Sequence, residues 1–410
     1  MPDIHVTAEP PTPPPASQRP PPGQGLALFA LGFRPFFFGA GITAVLSLLL
    51  WLAVLFGILR PPAYLPGTNW HAHEMLFGYT AAVVAGFLLT AARNWSGMPT
   101  ASGATLAALA GLWLAARITP WIGAPAWLIA TLDIAFFPAL AVSLWRALWQ
   151  GPNPANRLFI AVFAGFTLAS LLVNLEGAGI ATGLAARGER LMLDLIIVVM
   201  LLVGGRVMPF FTRSAIDGAR PITREWLDAL TFAAALTMLA LHLGLPNNQT
   251  ANLISAVAAI AAGLLQLARL AGWHDPRAWR HPMLAVLYVG FLWLSAGLIL
   301  DGLGAFALLP RSVAVHALTT GAIGVMTLGM MTRVTLGHTG RAMQASRLTV
   351  LAFVLINIAA LLRSPALLIA PSHYRDWLLA AGFCWIAAFS LFVAIYGPML
   401  ATPRVDGKPG

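Results

Sequence analysis

The run AGITAVLSLLLWLAVLFGIL, residues 40–59, holds twenty residues without one charged side chain. As a helix rising about 1.5 Å per residue it is about 30 Å long, which matches the hydrocarbon thickness of a bilayer. Residues 81–92 and 191–205 belong to runs of the same kind, the second broken only by Asp194. Over the 410 residues, 59% are hydrophobic and 9% are charged. Soluble domains carry roughly 25% charged residues, so water is not the solvent for most of this surface. The fold class is therefore an all-α polytopic membrane protein.

Working outward from these runs, apolar stretches punctuated by Gly, Pro, Asn and Arg predict twelve spans. They cover residues 35–56, 71–92, 105–118, 124–145, 157–174, 190–211, 226–243, 251–271, 283–302, 314–336, 348–370 and 377–400. The third is the shortest. Residues 1–24, with Pro10, Pro11, Pro13, Pro14, Pro15, Pro20, Pro21 and Pro22, read as a solvated, disordered cytoplasmic tail rather than a cleavable leader. Residues 25–410 read as one membrane domain. The single cysteine, Cys384, excludes a disulfide framework and a cysteine-based metal motif.

The formal net charge is +10, but its arginines are scattered through short loops. That pattern records membrane topology rather than a nucleic-acid surface. With twelve spans both termini share a side. The tails and even-numbered loops carry 17 of the 24 Lys and Arg, against 7 on the other side. Positive residues stay inside, so both termini are expected in the cytoplasm of a bacterial inner-membrane protein.

In this orientation spans two and ten both enter from the outer face, and each carries histidine near its start: His71 and His73 on one, His316 on the other. Imidazole is the commonest metal ligand and a usual axial ligand of haem. Two histidines on facing helices at one depth suit a six-coordinate haem; packing histidines are the plainer alternative. Residues two apart on a helix point about 200° apart, so only one of His71 and His73 can face such a group, and spacing does not say which. The other, with Glu74, would serve a second metal, a proton path or ligand orientation. Glu176, Asp194 and Asp301 fall at the same level, and Asp133 lies deeper. His338 is roughly 33 Å from His316 along the helix, in a glycine-bounded turn on the opposite side. Arg34, Arg93, Arg206 and Arg333 are topological first, with partnership to an anion or a haem propionate as the sharper reading. Spans two, six and ten share a motif, Gly86…Arg93, Gly205-Arg206…Arg213 and Gly329…Arg333, compatible with three four-helix arcs.

Several stretches then read together: Leu31-Gly32-Phe33-Arg34-Pro35-Phe36-Phe37, Trp70-His71-Ala72-His73-Glu74-Met75, Gly204-Gly205-Arg206-Val207-Met208-Pro209, His316-Ala317-Leu318-Thr319 and Met326-Thr327-Leu328-Gly329-Met330-Met331. Along essentially the whole chain after the tail, the sequence resembles the NnrS family. The resemblance implies a membrane protein carrying haem (haem b) and copper, tied to nitric oxide metabolism or tolerance in denitrifying bacteria. It implies nitric oxide as ligand, reduced or simply held, with a quinone or another electron donor as partner. It also implies an arrangement similar to the main subunit of haem–copper oxidases. The family pattern has histidine where this chain has Asn174 and Tyr288, so a copper or second haem site is missing or rebuilt here. Two other functions fit twelve spans: a secondary transporter, for which no pair of matching interrupted helices is visible in the sequence, and a metal-binding accessory factor of a respiratory complex.

Overall fold

The computed structural model describes residues 26–244 and 248–408; the Pro-rich tail lies outside them. Twelve long helices account for the architecture, and there is no strand among the described residues. They are α1 (Phe33–Leu55), α2 (Thr68–Ser96), α3 (Gly103–Ile118), α4 (Ala126–Trp149), α5 (Leu158–Gly177), α6 (Ala185–Ala215), α7 (Glu225–Gly244), α8 (Gln249–Trp273), α9 (Pro282–Ala305), α10 (Arg311–His338), α11 (Arg347–Arg363) and α12 (Tyr374–Ala401). Eleven are long and apolar enough to cross a membrane, and α3, at 16 residues, is the short one. The chain is thus a multi-pass membrane protein.

The ends of these helices have local causes. Gly97, at φ 70°, closes α2 in the left-handed region that side chains avoid. Asn248 and Ser346 cap α8 and α11 by accepting from the backbone N–H groups of Ala251 and Thr349. Glu176 does the same for α6 from outside it, accepting from Leu184 and Ala185 at 2.7 and 2.8 Å.

Burial varies widely among the helices, with α2, α10 and α6 the most enclosed and α9 next at 61%. In their most apolar stretches α2, α6 and α10 are 83%, 67% and 72% buried, whereas α1 and α7 reach only 28% and 22%. These three helices are spaced four apart in sequence and are the ones that share the glycine–arginine motif. Each packs against its neighbours in sequence, and α2 also touches α6. The first helix packs along the last. Arg34, wholly buried, fastens that seam by donating to the carbonyls of Leu400 and Thr402 at the end of α12, at 2.9 and 2.6 Å. Beyond it, Arg404 pairs with Asp406 and holds that carboxyl well below its usual range, at about 2.

Lipid gives helices no hydrophobic reason to associate, so close approach does the work. A Cβ at Gly188 would lie 2.5 Å from the Ala169 carbonyl, and one at Gly302 the same distance from that of Ala256. Glycine is required at both places for α5–α6 and α8–α9 to touch.

Two interior helices are widened. The backbone is π-helical over Glu74–Thr80 in α2 and over Ala317–Gly324 in α10, in each case just after the histidines. Such insertions cluster at functional sites. The sequence carried no sign of them.

Candidate functional site

Between α1, α2, α6, α10 and α12 lies a cavity of about 570 Å³, closed on one flank by Arg363 at the end of α11. Ligand pockets of about 300–1,000 Å³ are common. His71 and His316 both line it. Both sit within the bundle yet are only half-buried, because the surface each retains faces this cavity.

The two rings are held differently. His316 Nδ1 is 2.7 Å from the carbonyl oxygen of Ser312, one turn earlier. A carbonyl only accepts, so Nδ1 carries the proton and Nε2 keeps a free lone pair. That is the tautomer a metal-ligating histidine adopts. The His71 ring lies flat on Trp51 of α1, with centroids 4.7 Å apart and planes 11° from parallel. Its Nδ1 is buried without a hydrogen-bond partner.

The wall below the histidines is mostly apolar, with Leu48, Leu52, Met75, Leu76, Leu193, Ile323 and Trp385, and carries no charge; Thr80, Thr319 and Thr320 also line it, the first two with their hydroxyls bonded to the backbone of their own helices. On its floor the Tyr79 hydroxyl bonds Thr327, joining α2 to α10. Charge is confined to the upper wall, at Glu189, Arg190, Arg311 and Arg363. Arg190 is already engaged, bidentate to Asp301 and bonded to Asp194, whose other oxygen meets His242 at 2.7 Å. Glu189 Oε1 and Arg363 Nη1 are buried with no partner. Two imidazoles, an apolar slot and unspent guanidinium groups together fit a haem.

His73 points the other way, as the two-residue spacing requires of one member of the pair. It is 5% exposed and sits inside a closed polar cluster of α2, α3, α4 and α5. Its Nε2 is 3.2 Å from Asp133 and its Nδ1 3.3 Å from Glu74. Arg117, from the last turn of α3, pairs with both carboxylates. Ser170 and Asn174 each donate to Asp133 at 2.8 Å, and Tyr64 donates to Asn174 at 2.8 Å. The void beside them, about 10 Å³, holds at most one water. Glu74 therefore belongs with His73 and not with the cavity histidines.

The remaining candidates lie elsewhere. His338 packs by Phe33 at the opposite end of the bundle. Arg34 is the helix clasp described above; Arg93 is exposed; Arg206 donates to Asn156 at 2.7 Å; Arg333 lies over the ring of Phe211 at 4.0 Å. None of these touches the cavity. Tyr288 donates to the Trp273 carbonyl at 2.7 Å and shares its hydroxyl with Thr212. Asn174 and Tyr288 thus stand at opposite ends of the bundle. Among the described residues no group of three or more His, Cys, Asp or Glu is arranged to hold a metal ion.

Sequence reasoning passed over Arg363, Glu189, Trp51 and Arg117. Loop arginines read as topology, and a tryptophan in an apolar helix reads as packing. Only the fold brings them to the histidines.

Among curated proteins none matches this chain. The family described as NnrS protein matches residues 27–404. That match takes in all twelve helices and both cavity histidines, so this chain belongs to the NnrS family of nitric-oxide-related membrane proteins.

Proposed function

We propose that this protein holds a haem of b type between His71 and His316 and binds nitric oxide there. The observation that carries the reading is the pair of imidazoles, one from α2 and one from α10, lining the same cavity, with His316 locked by Ser312 in the ligating tautomer. When bound, haem supplies one-electron chemistry and an iron able to take a diatomic gas. The chain's own residues do the rest. Trp51 fixes the His71 ring, the apolar wall keeps water from the lower cavity, and the π-helical segments set the angle at which each histidine leaves its helix.

Were both imidazoles to hold the haem, no position would be free for a gas, which would suit electron transfer; binding nitric oxide, like reducing it, would need one imidazole to yield. Copper has a weaker basis, because Arg117 fills the space between Glu74 and Asp133 where His73 would otherwise help bind a cation. In this reading the cavity opens at the outer face of the inner membrane, with both termini in the cytoplasm, and the excess of 17 cationic residues over 7 on the side of the termini supports it.

The test is optical. His71→Ala and His316→Ala should each abolish the spectrum of a six-coordinate haem, while His73→Ala should keep it. An unchanged spectrum in His316→Ala sinks the assignment.

A secondary transporter is the second reading, favoured by one observation: the paired π-helical interruptions of α2 and α10 beside the same cavity. Saturable stabilisation by a solute in haem-free protein would support it.

A further inference from the structure

The charged groups of the histidine cavity are sorted by height. From Arg311 to Ile323 along α10 the cavity is about 18 Å deep, and His316 stands about 7 Å below the rim. Everything polar that carries charge lies at or above the histidines, and the floor is formed by Met75, Tyr79, Ile323 and Trp385. The cavity is thus amphipathic along its depth.

The rim cations are not equivalent. Arg190 is neutralised by Asp194 and Asp301. Among the described residues Arg363 meets the neighbouring Tyr374 ring and hydroxyl, and its Nη1 is buried with no partner. Arg311 is exposed and has no ion-pair partner among the described residues. A buried guanidinium nitrogen without an acceptor is costly, and a planar carboxylate is the partner its geometry fits best.

We propose that Arg363, with Arg311 behind it, is the carboxylate clamp of this cavity. The ligand it selects is an amphipathic tetrapyrrole dicarboxylate, held edge-on with its carboxylates at the mouth and its apolar edge on the floor. The inference rests on the histidine-ligated reading above. It moves the propionate role from the inner arginines to residues at the cavity mouth.

The experiment titrates haem-free protein in detergent with haemin and with haemin dimethyl ester, whose carboxylates are blocked. Soret absorbance and quenching of tryptophan fluorescence report binding, since Trp51 and Trp385 are in the wall. Wild type should bind haemin about tenfold or more tightly than the diester, the size of one charge-assisted hydrogen bond. Arg363→Gln should lose that factor for haemin and leave the diester unchanged, Arg363→Lys should recover part, and Arg93→Gln at the far end should bind both as wild type does. The wild-type comparison needs no variant to fold. Equal binding of haemin and diester, or an Arg363→Gln protein that binds haemin as tightly as wild type with an unaltered spectrum, overturns the clamp and leaves the histidine ligation standing. Failure of wild type to bind either porphyrin overturns both.

Discussion

Replacing Arg117 with methionine tests the closed cluster around His73. Methionine keeps much of the length and apolar bulk, so the change is mainly the loss of charge. The Arg117, Glu74 and Asp133 side chains are 8%, 5% and 5% exposed, so water cannot stand in for the guanidinium. Removing one partner of a buried pair costs about 3–5 kcal/mol, because the remaining charge is stranded. Here two carboxylates are left, with His73, Ser170 and Asn174 as their remaining partners. At roughly 2 °C per kcal/mol for a large chain, the apparent Tm should fall by about 6–10 °C. Intrinsic fluorescence in detergent reads this directly, since the chain has 14 tryptophans and Trp70 borders the cluster. Adding Glu74→Gln and Asp133→Asn to Arg117→Met removes the stranded charges and should restore most of the loss. Arg117→Met melting within a degree of wild type would refute the reasoning, as would a triple variant less stable than the single one.

Other expectations follow from the same contacts. His73→Ala should cost about 1–3 kcal/mol by leaving a buried acceptor short of a partner, seen as a lower Tm with the haem spectrum intact. Arg34→Ala strips the carbonyls of buried Leu400 and of Thr402 of their charged donor; a loss of about 1.5–3 kcal/mol should appear as faster amide exchange at the end of α12. Gly188→Val drives a methyl group into the Ala169 carbonyl, and the overpacking, about 1–3 kcal/mol or more, should lower both Tm and the yield of monodisperse protein.

Much of the fold is legible in the sequence because the bilayer imposes length and hydropathy. Twelve helices and the shortness of α3 follow from the apolar runs, whereas the deeper burial of the second, sixth and tenth does not. The predicted starts of α2 and α10 fall three residues late, at His71 and Ala314 instead of Thr68 and Arg311. The missing turns hold polar residues that hydropathy discounts, and they are the turns that form the cavity mouth. The choice between His71 and His73 was not legible. It depends on Arg117 and Asp133 arriving from α3 and α4 to claim His73, and on Trp51 arriving from α1 to support His71. His242 illustrates the same limit: nothing in its place at the end of an apolar run marks it out, yet it lies between Asp194 and Ser255, at 2.7 Å from each.

The central claim is that His71 and His316 share one haem. Its most direct test is the absorption spectrum of the purified wild-type protein, oxidised, reduced and then exposed to nitric oxide, with haem quantified against protein. The account expects stoichiometric haem, a Soret band with sharp α and β bands on reduction, and a shift when the gas is added. Protein made with ample haem and showing no Soret band would contradict it, leaving both histidines as residues of a haem-free cavity and the transporter as the better reading.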